Sequence, residues 1–403
     1  VKNLRVSILT LALLGTAFQL AHPQGAGIEW EILNQEVQEL YRVGKYDRAV
    51  LVAQKALEVA ERNVGPDHTS VAASLNNLAE LYRTQSDYAK AEPLLKRSLA
   101  IMEKAFGSDH PGVAVSLTNL ALLYKTQGDY AKAEPLYRFS LAIREKAHGP
   151  DHPDVAASLN NLASIYKTQG DYATAEPLYK RSLSIMEKLL GPDHPNVATV
   201  LNNLASIYDV QSDYVQAEPL YKRSLAISER ALGPDHPDVA TGLNNLASIY
   251  RTQGNYAKAE PLYIRSLEIW EKALGSDHPN VATGLNNLAD LYRAQGNDTG
   301  AEPLYKRSLA ISEKTLGPDH PVVATSLNNL AAFYHDQGYH AVAEPLYKNA
   351  LAIRERAFGP DHPDVATSLE CLVILYRDTN RPVEADTMEL RAAKIRGSAG
   401  GMR

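Results

Sequence analysis

The chain has 403 residues, 45% of them hydrophobic and 22% charged, the balance of an ordinary water-compatible protein. Its formal net charge of −6 argues against a surface built for polyanions, so nucleic acid is not an expected partner. A single cysteine, Cys371, excludes an intrachain disulfide and a cysteine-rich zinc site.

Residues 1–24 stand apart from the rest of the chain. Lys2 and Arg5 precede an uncharged run, Val6 to Ala21, with the small residues Gly15 and Ala17 near its end. A short basic region and an apolar run too short to span a bilayer comfortably read as a secretory signal, cleaved after Ala17, and so as export to the periplasm or medium. An uncleaved anchor, or upstream sequence included by a misplaced start, accounts for the same residues. Without a true signal the protein stays in the cytoplasm.

Further along, a loop of Gly-Pro/Ser-Asp-His begins at Gly65, Gly107, Gly149, Gly191, Gly233, Gly275, Gly317 and Gly359, a constant step of 42 residues. A fixed period in this range means stacked supersecondary units, and such an array grows by adding layers, so length does not count domains. In the copy from Pro153 to Gly191, the residues Val155, Leu159, Leu162 and Tyr166 fall on one face of a predicted helix. Pro153 suits its first turn and Asp154 its positive start. Gln169-Gly170-Asp171 breaks the period: Gly170 can turn left-handed and Asp171 can cap the next helix. Tyr172, Ala175, Tyr179 and Leu183 mark that second helix, which ends before Gly191. Each unit is an antiparallel helix pair that cannot cover its own apolar faces and must stack. Pro177, with counterparts at Pro93, Pro135, Pro219, Pro261, Pro303 and Pro345, sits inside the second helix. Proline there loses a hydrogen bond and costs about 3 kcal/mol in a regular interior, so a loosened or bent first turn is expected.

Taken in order, residues 25–64 form a divergent first repeat serving as a cap, its turn from Tyr41 to Tyr46 reading as one residue shorter than the later ones. Seven regular units occupy 65–358. Residues 359–396 are a degenerate last repeat, with Asn380 for the turn glycine, Pro382 for the tyrosine and Glu389 for the second tyrosine; 397–403 are a flexible tail. The unit near His278 is the expected weak joint, because Asp298 replaces the tyrosine and Gly300 sits early in the second helix, so fraying is expected over Asn297–Pro303. Trp270 occupies a position that elsewhere holds Met102, Arg144, Met186, Ser228, Ser312 or Arg354, a tolerance that reads as exposure.

Leu-Ala then Tyr, Gly-x-Tyr, Ala and Tyr at these offsets resemble the tetratricopeptide repeat. The 42-residue form with LNNLA, AEPLYKRSL and LGPDHP is similar to the repeats of kinesin light chains and their bacterial relatives, and extends from Ile28 to about Ile395. The resemblance implies an all-α fold, a right-handed α-solenoid of about nine antiparallel helix pairs whose first helices line a concave, peptide-binding groove. It does not imply a motor protein: kinesin light chains carry a heptad coiled coil before their repeats, where this chain has the signal-like segment.

On the first helix, Asn161, Ser164 and Thr168 share the face turned away from the second helix, with Asn160 and Lys167 alongside. The second asparagine recurs as Asn77, Asn119, Asn161, Asn203, Asn245, Asn287 and Asn329. A side-chain amide, donor and acceptor at once, can hold an extended peptide backbone whatever its sequence. Six residues on stand Arg83, Lys125, Lys167, Asp209, Arg251, Arg293 and His335, a mainly cationic row that favours acidic peptides. Three positions after the asparagine the residue varies (Glu80, Leu122, Ser164, Ser206, Ser248, Asp290, Ala332), as selectivity would need and as neglect would also produce. The competing reading is structural: asparagines tie one helix to the next, and exposed Lys and Arg are the default surface.

The loop histidines, His68 to His362, recur a repeat apart, whereas a metal needs converging ligands, so they read as loop and capping residues. No HExxH, P-loop or GxSxG stretch occurs. Asn297-Asp298-Thr299 matches a glycosylation sequon, a short and weak signal. The expectation is a scaffold or adaptor, with no catalytic residue, metal or cofactor, that holds protein or peptide segments in its groove. The alternative is a structural spacer or self-assembling array that works through its ends or convex face.

Overall fold

The computed structural model describes residues 26–400; the segment read as an export signal lies outside the described residues. Among them are eighteen helices and no strand. Two compact units divide the chain after Gly254. The first holds α1 (Ile28–Arg42), α2 (Tyr46–Val64), α3 (Thr69–Thr84), α4 (Tyr88–Phe106), α5 (Pro111–Thr126), α6 (Tyr130–His148), α7 (Pro153–Gln169), α8 (Tyr172–Leu190), α9 (Pro195–Val210), α10 (Tyr214–Leu232) and α11 (Pro237–Thr252). The second holds α12 (Tyr256–Leu274), α13 (Pro279–Ala294), α14 (Asp298–Leu316), α15 (Pro321–Asp336), α16 (His340–Phe358), α17 (Pro363–Asp378) and α18 (Pro382–Gly400). Within each unit every helix packs on the next in sequence, and successive first helices also touch, α3 on α5 and α7 on α9, α13 on α15 and α15 on α17. No described helix is long and apolar enough to cross a membrane.

Local chemistry sets the helix ends. Each loop histidine is an N-cap: His68, His110, His152, His194, His236, His278, His320 and His362 accept through Nδ1 the backbone N–H two residues on, at 3.0–3.2 Å. Six of the second helices are capped by Asp87, Asp129, Asp171, Asp213, Asn255 and Asn297, as in the 3.1 Å bond from Thr174 N–H to Asp171 Oδ1. Gly191, which ends α8, has φ 87° and ψ 157°, a region essentially reserved for glycine.

The core follows the apolar columns. Val155, Ala156, Leu159, Ala163, Ala175, Tyr179 and Ile185 are buried, as are their counterparts in the other regular units. Hydrophobic burial is worth about 1.5–3 kcal/mol for each large side chain, and here it is completed by the neighbouring repeat. Polar clasps fix the register of that stacking. Tyr124, Tyr166 and Tyr208 each donate to a glutamate on the second helix of the preceding repeat, Glu92, Glu134 and Glu176, at 2.8 Å. In the second unit Tyr334 does the same to Glu302, at 2.8 Å.

Several expectations are corrected. The first turn is not shorter: Asn77 donates to Asn34 across 43 residues, as Asn203 does to Asn160, and Gly44 N–H bonds to Tyr41 as Gly128 N–H bonds to Lys125. Tyr41 thus stands in the cation row, level with Arg83, and the 42-residue register is kept; its resemblance to Tyr82 misled the alignment. Trp270 is wholly buried, 0% exposed, because Gly284 on α13 leaves room for its ring; a Cβ there would come 3.1 Å from Trp270 Cζ3. A loosened or bent first turn remains the expectation at the prolines, through which the helices run unbroken. Pro177 lies on the exposed side of α8, where water can bond the Ala173 carbonyl that loses its donor. At the start of α14 Gly300 N–H donates to Asn297 Oδ1 at 3.1 Å, and Gly300 suits it because a Cβ would come 2.7 Å from Asn297 Nδ2; fraying over Asn297–Pro303 stays an expectation for hydrogen exchange to test. Helix α18 continues to Gly400, into the segment read as a tail.

Candidate functional site: the first-helix face

The second asparagines divide into those that are tied and those that are not. Asn77, Asn203 and Asn245 donate through Nδ2 to the first asparagine of the preceding repeat, Asn34, Asn160 and Asn202, at 2.8, 2.9 and 2.8 Å. These three form the inter-repeat tie that the sequence left open as an alternative. Asn119, Asn161 and Asn329 are half-buried and make no side-chain hydrogen bond among the described residues. The reason for Asn161 is local: the preceding repeat carries Thr118 in place of asparagine, and that hydroxyl is spent on the Ala114 carbonyl and Ser140 Oγ at 2.8 and 2.9 Å. Asn119 would pair with Asn76, whose buried Oδ1 has no partner. Asn287 is half-buried at the same position.

The cation row and the variable row are partners, a link that separate columns concealed. Arg83 forks onto Glu80 with N–O distances of 2.6 and 2.8 Å, and its Nη1 reaches Thr126 on the next first helix at 3.4 Å. Lys125 donates to Ser164 Oγ at 2.5 Å and Lys167 to Ser206 Oγ at 2.7 Å, each again one repeat on. In the second unit Arg293 is held by Asp336 at 2.5 Å, and His335 Nε2 lies 3.0 Å from Asp378. Asp290 accepts from the Tyr305 hydroxyl at 2.5 Å. Arg251 is half-buried at its place in the row. The Glu80–Arg83 pair was legible as an i,i+3 spacing; the serine partners were not, since they lie 39 residues away.

Burial and charge tune these groups differently. Burial works against the Arg83 charge, yet Glu80 beside it outweighs that effect and holds the guanidinium protonated. For Lys125 nothing offsets burial, and Lys167 and Arg83 add repulsion, so its ammonium is pushed down to about 7. Lys167 is pushed down to about 8 by burial, with Asp209 opposing the fall.

One metal-type grouping occurs among the described residues: ligand atoms of His148, His152 and Asp154 lie within 4.8 Å of one another. His148 belongs to the end of α6, so it escaped a reading based on one histidine per repeat. The two imidazoles stack at 4.3 Å with 21° between planes, as Phe106 stacks on His110. Stacked rings aim their in-plane lone pairs side by side rather than at one point, and His152 Nδ1 already serves the Asp154 N–H. The trio reads as a cap covered by a flat ring.

Comparison with known proteins places these features. The tetratricopeptide-repeat profile matches residues 40–104, 71–138, 113–188, 155–213, 210–263, 238–314 and 282–338, and a second profile of that description matches 323–364. Among solved structures, BtubC (BKLC) from P. vanneervenii is 27% identical over 58% of this chain and 91% of its own, with a TM-score of 0.45. A Podosopora anserina putative kinesin light chain with nearly identical TPR-like repeats is 29% identical over 51% of this chain and 98% of its own, TM-score 0.43. A Rap protein complexed with Competence and Sporulation Factor is 14% identical over 93% and 99%, TM-score 0.59, a likeness of fold. No curated protein matches the chain.

Proposed function

The chain belongs to the tetratricopeptide-repeat family, and from that membership we propose a non-catalytic protein-interaction scaffold that holds an extended segment along the first-helix face of residues 108–190. The observation that carries this reading is the pair Asn119 and Asn161, half-buried and released from the ladder that ties Asn77, Asn203 and Asn245. An extended backbone offers alternating N–H and C=O groups, and a free side-chain amide answers both, so grip does not depend on the partner's side chains. Near-identical repeats set like groups beside like, whereas catalysis needs unlike groups converging on one point. A single segment held this way binds with about micromolar Kd, near −8 kcal/mol.

Selection of short random peptides on the full chain, followed by calorimetric titration of the winners, tests the proposal. Asn119→Ala with Asn161→Ala is expected to weaken binding about tenfold or more, a loss of about 1.4 kcal/mol or more, while Asn329→Ala leaves it unchanged. Circular dichroism would establish that each variant is folded. Winners that bind the double variant as tightly as wild type would move the working surface to the ends or outer face, and this reading would fall.

A further inference from the structure

A clasp recurs between successive second helices. Arg97 pairs with Glu61 at 2.7 Å, Arg181 with Glu145 at 2.8 Å and Arg223 with Glu187 at 2.7 Å. In the second unit Arg307 pairs with Glu271 at 2.6 Å and Arg391 with Glu355 at 2.5 Å. The guanidinium also holds the loop between the two repeats: Arg97, Arg181 and Arg223 donate through Nη2 to the carbonyls of Pro66, Pro150 and Pro192 at 3.2–3.3 Å. Between α4 and α6 the cation is missing. Phe139 stands where the period places the arginine, and the Glu103 carboxylate and Ser108 carbonyl, which an arginine there would hold, have no partner among the described residues. The loop itself is held as elsewhere, Lys146 pairing with Asp109 at 2.5 Å as Lys188 does with Asp151 at 2.6 Å. Phe139 is 42% exposed, and Phe106 at the head of the same loop is 49% exposed. In the second unit Asn349 likewise replaces the arginine that would meet Glu313, but brings no ring.

We propose that this vacancy is a docking site for an arginine of a partner protein, set on the second helices and independent of the groove. The chain's own arginines show the pose: one guanidinium answers a glutamate and a loop carbonyl together, as Arg181 answers Glu145 and Pro150. At the vacancy Glu103 and the Ser108 carbonyl take the same two contacts from outside. The ring of Phe139 adds a flat face on which a guanidinium can lie, and the exposed Phe106 beside the loop covers an apolar neighbour of that arginine. A lysine fits less well, since its ammonium is a compact point charge without the planar fork that meets two acceptors while stacked. The partner is therefore a protein segment that presents an arginine next to an apolar side chain.

The probes are three pools of acetylated, amidated peptides with a fixed central Arg, Lys or Gln and random positions free of Arg and Lys. The full chain is expected to bind the Arg pool about fivefold or more tightly than the Gln pool, with the Lys pool between them. Phe139→Arg supplies the guanidinium from within and should abolish the preference; it restores the arrangement already present at Arg97 and Arg181, so the variant is expected to fold. Glu103→Gln should abolish the preference as well, and Glu313→Gln should keep it. Equal binding of the Arg and Gln pools, a Lys pool bound as tightly as the Arg pool, or a preference that survives Phe139→Arg overturns the site and leaves the groove reading standing. A preference lost in the Asn119→Ala, Asn161→Ala variant would place the arginine in the groove and overturn the site too.

Discussion

Trp270 is buried because another residue gives way to it. The position that holds Trp270 faces, on the next helix, the position that holds Gly284, and elsewhere the same two places hold Ser312 with Ser326 or Arg354 with Ser368, the last pair joined by a 2.8 Å hydrogen bond. The two sizes do not sum to a constant, since Ser228 stands with Gly242, but the largest side chain of the column meets the smallest residue opposite it. Gly284→Ser is therefore expected to destabilise the protein by about 1–3 kcal/mol through overpacking, partly offset by better helix propensity, and Trp270→Ser alone by about 3–5 kcal/mol through the cavity it leaves. Combining them recreates the Ser312–Ser326 arrangement, so the double variant should lose less than the sum of the singles. Urea unfolding of the four proteins measures this coupling, and additive losses would show the two positions to be independent. A single column of a single sequence displays tolerance but not its cause, which is why Trp270 read as exposed. The compensating residue sits in a different column, and only packing reveals that they are partners.

At the scale of the helix, the turn between first and second helices shows how far sequence rules reach. Gly128, Gly170, Gly254, Gly296 and Gly338 take φ between 72° and 79° there, while Ser86, Ser212 and Asn380 are forced to 60°, 62° and 56°. A left-handed residue with a Cβ costs about 1–2 kcal/mol, against which glycine loses more entropy on folding, by about 0.5–1 kcal/mol. Ser212→Gly should thus raise stability by about 0.5–1 kcal/mol and Gly170→Ser should lower it by a similar amount, read from urea midpoints at unchanged slope. Opposite or null shifts would mean that the serine side chain, rather than the backbone, sets the turn. Helix limits, the turn and the Asp171-type caps were all legible, because each depends on residues within a few positions. The histidines were placed correctly as caps for the same reason. What local rules could not supply was anything spanning a repeat: the tie from Asn203 to Asn160, the bond from Lys125 to Ser164, and the alignment of Tyr41 with Arg83. Each needs the stacking offset between helices, which the period of 42 fixes in sequence but not in space.

For the molecule as a whole, the cation row makes stability rise with pH, as a salt-bridged carboxylate does, but by relieving a burial penalty rather than by gaining an attraction. Lys125 has its folded value pushed down to about 7 by burial and then by Lys167 and Arg83. Below that pH the lysine is charged in both folded and unfolded chains, and the full penalty of burying the ammonium is present. Between about 7 and the ordinary lysine value the unfolded chain binds the extra proton, so stability rises with pH, and above it the penalty is gone. Lys167, pushed down to about 8, adds a contribution of the same sign. Lys125→Met keeps the aliphatic stem and removes the charge. It should therefore be more stable than wild type at pH 6.5, by about 1–2 kcal/mol once partial solvent exposure is discounted, and the gap should close toward pH 10. Chemical unfolding of both proteins across that range measures the gap directly, and titrations common to both cancel in the difference. A gap that stays constant would mean that Lys125 is solvated in the free protein.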